Sequence, residues 1–210
     1  MTTTSPAPSP IAAKIMILRH GEKPLTDGAP FGVAEDGTQG DQAGKNLLLV
    51  RGWARAGALA ALFGADRGPL SEPTLATPQH IFACKVEDDG SHRPHDTVVP
   101  LSRKLGLAVD DRYGQDDYAA MIADAMGRPG VVLICWEHHR IEEITARIPR
   151  RDGQPPDRYH WPGKRFDVIF VFDRDGDQYG FQQVPQLLLD GDSPDPIDVH
   201  KVKAADLGDD

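Results

Sequence analysis

Three short runs, "KIMIL" (14–18), "HIFAC" (80–84) and "VVLIC" (131–135), constrain the fold of this chain more than any other feature. Each is apolar at successive positions, so a strand made from it needs cover on both faces. Parallel strands held between two layers of helices have that need. A fourth β-branched and aromatic run, "FDVIFVF" (166–172), follows later. Helical patterns fill the intervals. "GWARAGALAALFG" (52–64), "TVVPLSRKLG" (97–106) and "DYAAMIADAMG" (117–127) each close on a glycine, as helix ends commonly do. "HRIEEITARI" (139–148) puts Ile141, Ile144 and Ile148 on one face and Glu142 and Glu143 off it. Strands alternating with helices predict an α/β domain on a mainly parallel sheet, whose ligands gather at the carboxyl ends of the strands.

The chain of 210 residues has room for one sizeable core. A leader over 1–13, rich in Ser, Thr and Pro, is expected to be disordered; the domain spans 14–187; an acidic tail, loosely held at the surface, takes up 188–210. A formal charge of −9 with no Lys/Arg cluster argues against a nucleic-acid partner. No apolar run approaches the roughly 20 residues that span a bilayer, which argues against a membrane partner. Cys84 and Cys135 fall in core strands without metal spacing and read as buried thiols of a reducing compartment, the cytoplasm. The irregular stretches 26–44 and 149–164 are long for a compact domain and suggest walls over a site. "DRDGDQYG" (173–180) has its glycine too early for a calcium loop and reads as a hairpin turn.

The strand ends carry the chemistry. The first delivers Arg19 and His20. The second is followed by "SHRPHDT", with Arg93 at the approach to a helix, and the third runs into "WEHHR" with His138 and His139. Arginine forks match phosphoryl oxygens bidentately, and an imidazole nitrogen can attack phosphorus when its partner nitrogen is pinned as a donor. Gly21 allows close approach of backbone and ligand, and Lys23 follows as a further anion contact. Helical spacing sets His138 over the face of Ile141 and Ile144, with His139 turned about 100° away.

"LRHGEKP" (18–24), the Arg93-x-x-x-Thr97 helix opening, "GWARAGAL" (52–59) and a His just past a later apolar strand resemble the histidine phosphatase superfamily, also called phosphoglycerate mutase-like. The resemblance covers residues 14 to 148 and implies a three-layer sandwich. It implies a phosphomonoester hydrolase acting on a small phosphorylated metabolite, with His20 as covalent phosphoryl acceptor. Arg19, Arg93 and a charged His138 then form the pocket, with no metal or other cofactor. Trp136 and Glu137 stand where members commonly have Gly before the second His. The acid for the leaving oxygen is open among Glu22, Asp116, Asp117 and Glu137. Two other readings remain, a mutase returning the phosphoryl group to the same substrate and a non-catalytic binder of phosphate or phosphoprotein. The sequence does not speak to oligomeric state.

Overall fold

A computed structural model describes residues 11–24, 30–40, 46–64, 70, 72–87 and 90–201. Six strands, β1 (Ala12–Arg19), β2 (His80–Ala83), β3 (Val109–Asp110), β4 (Gly130–Trp136), β5 (Val168–Asp175) and β6 (Gln178–Pro185), form one sheet in the order β3-β2-β4-β1-β5-β6. The links among β3, β2, β4 and β1 are parallel, and β5 and β6 add antiparallel. Among the described residues four α-helices flank it: α1 (Val50–Phe63), α2 (Arg93–Leu105), α3 (Tyr118–Gly127) and α4 (His138–Thr145).

Strand alternation divides the core in two. Ile15, Ile17, Val132, Ile134, Phe170 and Phe172 face Met121, Ile122, Ile141 and Ile144 of α3 and α4. Met16, Leu18, Leu133, Cys135, Ile169 and Val171 face Leu59, Phe63, Val98 and Leu101 of α1 and α2. Three layers result, as the two-sided apolarity of the strands requires.

Several boundaries differ from the sequence reading. β1 starts at Ala12, inside the expected leader, because Ala12 is buried and its carbonyl accepts from the Tyr179 hydroxyl at 2.8 Å. Residues 1–10 lie outside the described residues, as do 26–29 and 41–44 of the first long loop. The hairpin at 173–180 continues into β6, an edge strand whose polar residues hid it. The segment past 187 is not loosely held as far as 201. Ile197 and Val199 are buried in the core and Asp192 is ion-paired to buried Arg55, so a few anchors hold an otherwise acidic stretch. Among the described residues no helix is long and apolar enough to cross a membrane.

Candidate active site

β1 and β4 are neighbours in register, Arg19 opposite Trp136, so their carboxyl ends open at one point. His20 follows β1, and Glu137 and His138 follow β4. α2 brings Arg93 as its first residue, since Pro94 suits the first turn of a helix, where no backbone N–H is needed. Thr97 fastens this helix to the strand end. Its hydroxyl donates to the Arg93 carbonyl at 2.7 Å and accepts from the Gly21 N–H at 2.8 Å.

Gly21 serves packing. A Cβ there would stand 2.9 Å from the Gly52 carbonyl oxygen, and one on Gly52 would stand 2.6 Å from that of Glu22. The space that Gly21 leaves is therefore filled by the backbone of α1, where the sequence reading expected a ligand.

His20 is fully buried. Its Nδ1 lies 2.7 Å from the Gly21 carbonyl oxygen. A carbonyl only accepts, so Nδ1 carries the hydrogen and Nε2 keeps its lone pair. Nε2 is buried without a hydrogen bond, and Glu137 Oε2 lies 3.1 Å to its side. The other oxygen of Glu137 is 3.6 Å from Arg93 Nη2. Burial pulls the His20 imidazole below its ordinary value while Glu137 pulls it back. Glu137 feels burial in the opposite sense, and its carboxyl is drawn down by the His20 ring when that ring is protonated and by Arg93.

Arg19 is anchored from one end. Its Nη1 donates to the carbonyls of Pro162, Gly163 and Arg165 at 3.3, 2.9 and 3.1 Å, and its guanidinium lies 4.0 Å over the Phe166 ring. Nε and Nη2 stay buried and make no hydrogen bond. Burial and the nearby Arg93 lower Arg19 to about 10, so it remains cationic at neutral pH. His138 is different. Burial, then Arg19, His139 and His20, push it down to about 2, so it is neutral here and not the charged group expected from sequence. Lys23 is lowered by its burial and by Arg93 and Arg19, which puts it within the same field.

The candidate acids separate. Glu22 turns away to Arg55, with Nη2 to Oε1 at 2.7 Å, and to Arg51 at 3.1 Å. Asp116 accepts from Arg140 at 2.6 Å, and Asp117 accepts the Gly114 N–H at 3.1 Å. Glu137 alone of the four stands beside His20. The His139 ring lies tilted against that of His138, with centroids 4.4 Å apart, and both line a cleft of about 490 Å³ with Glu142, Arg147, Tyr159 and Trp161.

His20, Glu137 and His138 hold one ligand-type atom each within 4.8 Å of one another. Two guanidiniums beside this trio favour an anion over a cation there. The sequence reading did not find the Pro162, Gly163 and Arg165 carbonyls that orient Arg19, because backbone acceptors leave no residue signature.

No protein-family model and no curated protein matches the sequence. Among solved structures, the protein histidine phosphatase SixA complexed with tungstate superposes with a TM-score of 0.50 at 14% identity, over 82% of this chain and 97% of that one. The ecdysone phosphate phosphatase of Bombix mori, in complex with tungstate, gives 0.52 at 14% identity, over 88% and 97%. The fold is that of the histidine phosphatases.

Proposed function

We propose that this chain is a phosphomonoester hydrolase that passes the phosphoryl group through His20. The observation that carries the reading is the His20 ring, with Nδ1 pinned as donor on Gly21 and Nε2 left with its lone pair, buried between two arginines at a strand end. A nitrogen so prepared needs no base to remove a proton before it attacks. Nε2 attacks phosphorus, the P–O bond to the leaving group breaks, and water then attacks the phosphohistidine. Phosphoryl transfer depends chiefly on positioning and charge stabilisation, which the cationic Arg19 and Arg93 supply from either side. His138 and Lys23 complete the anion's surroundings, and Glu137, beside Nε2, is the acid for the leaving oxygen. The substrate is a small phosphorylated metabolite whose leaving group lies in the cleft past His138, and the setting is the cytoplasm, where Cys84 and Cys135 stay free thiols. The two superposed enzymes, each complexed with tungstate, support an oxyanion as the occupant of the site.

The test is a screen of phosphorylated metabolites and an aryl phosphate for released phosphate, with acid quenching to trap phosphohistidine. Turnover with a labelled His20 is expected. Isomerised substrate without free phosphate would make the chain a mutase, and oxyanion binding with neither turnover nor label would make it a binder.

A further inference from the structure

Arg19 is a long side chain whose backbone alone does not decide which edge of its guanidinium meets a ligand. The Nε and Nη2 hydrogens lie parallel along one edge, and that edge grips two oxygens of an oxyanion in a plane. Both nitrogens are buried without a hydrogen bond, while Nη1, at the other corner, is taken up by the carbonyls of Pro162, Gly163 and Arg165. The free edge is therefore chosen by whatever holds those carbonyls.

Residues 162 to 165 form a turn, closed by the Arg165 N–H on the Pro162 carbonyl at 3.0 Å. A second donor reaches this turn from outside it. The Trp161 indole N–H donates to the Arg165 carbonyl at 2.9 Å, the same oxygen that accepts from Arg19 Nη1 at 3.1 Å. The Trp161 ring is buried and packs on Phe170 of β5 with centroids 4.9 Å apart, so its N–H is aimed from the sheet. The Arg165 side chain faces elsewhere, to Asp167 and to the Asp195 carbonyl, each at 2.7 Å. Phe166 covers one face of the Arg19 guanidinium at 4.0 Å.

We propose that Trp161 is a positioning residue for the oxyanion pocket: by holding the Arg165 carbonyl against Arg19 Nη1, its indole N–H turns the Nε–Nη2 edge toward the anion beside His20. The proposal rests on the phosphatase reading for its ligand. It links β5 to the cation of β1 through Phe170, Trp161 and the Arg165 carbonyl. Trp161 also lines the cleft past His138, so the group that sets Arg19 belongs to a wall that the leaving group meets.

Tungstate, the oxyanion in both superposed enzymes, is the probe, and calorimetry gives its dissociation constant for the wild type and for Trp161→Phe. Phenylalanine keeps an aromatic ring against Phe170 and removes the N–H. The same substitution is made in Arg19→Lys and in Arg19→Gln, each of which keeps a donor for the carbonyls but has no guanidinium edge to turn. Trp161→Phe should weaken tungstate about fivefold in the wild type, as the loss of one hydrogen bond does, and less than about twofold in either Arg19 background. A tryptophan that acts through packing alone would cost the same in all three.

A second readout needs no Arg19 variant to fold or to bind. In ¹⁵N NMR the Arg19 guanidinium should rotate slowly about its Cζ–Nε bond in the wild type and faster in Trp161→Phe. Equal losses in all backgrounds, unchanged tungstate affinity in Trp161→Phe, or equal rotation in the two chains would overturn the proposal and leave the phosphatase reading standing. Absence of tungstate binding to the wild type would overturn both.

Discussion

At His20 two neighbours decide the chemistry, the Gly21 carbonyl that holds one ring nitrogen and the Glu137 carboxyl 3.1 Å from the other. His20→Ala removes the phosphoryl acceptor and should abolish phosphate release. The fold survives, because the strand and helix contacts around the site belong to Thr97, Gly21 and Gly52. Released phosphate and a thermal melt check the two halves of that statement; a folded variant keeping more than a few per cent of turnover would sink the covalent route. Arg93→Ala withdraws one of two cations from the developing phosphoryl charge, a loss on the order of 100-fold in kcat. Arg93→Lys should recover only part of it, since an ammonium cannot grip two oxygens in a plane. An unchanged rate in Arg93→Ala would put that side chain outside the pocket.

At the scale of elements, the site is a junction of β1, β4, α1 and α2, and its tightest point is backbone against backbone. Gly52→Ala drives a methyl into the Glu22 carbonyl, which cannot swing aside as a side chain could. It should cost about 1–3 kcal/mol, and by shifting His20 against Arg93 it should also lower kcat up to about 100-fold. Gly57→Ala on the same helix meets open space and should stabilise by roughly 0.5–1 kcal/mol with activity intact. Melting temperatures and kcat for the pair separate the packed glycine from the free one; equal behaviour would refute the junction. The two-sided strands β1, β2 and β4 were readable because each must be apolar throughout, and Arg19 and His20 were readable because they break that rule at once. Three-residue spacing likewise showed His138 on the face of Ile141. β6 escaped notice since "QYGFQQVP" has one buried neighbour strand and little apolar alternation. Glu137 could be named from the sequence but not distinguished from Glu22, because only the register of β4 against β1 separates the carboxyl beside His20 from the one turned to Arg55.

Over the whole molecule, one buried arginine joins the ends of the chain's order. Arg55 of α1 donates to Glu22 after β1, to Gln186 after β6, and to Asp192 beyond it, at 2.7, 2.8 and 2.7 Å. Asp192 in turn accepts the Leu188 and Leu189 N–H groups at 2.9 and 3.1 Å, which closes the acidic segment onto the domain. Arg55→Met keeps the volume and strands the carboxylates, a loss of about 3–5 kcal/mol and roughly 10 °C in Tm for a domain of this size. The pH dependence gives the finer test. Burial raises the Asp192 carboxyl, but the Arg55 hydrogen bonds and the two backbone donors outweigh it and leave it below its ordinary 3.8. A carboxyl depressed by folding contributes its full stability above the unfolded value and loses it as pH falls through the lower folded one. The wild type should therefore lose Tm on acidification below about pH 4. Arg55→Met has already lost the interaction and should lose less, so the gap between their melting curves narrows as acid is added. A gap of constant width from neutral to acid pH would mean that the arginine acts by packing alone, and that the carboxylate clasp contributes nothing to holding the acidic segment in place.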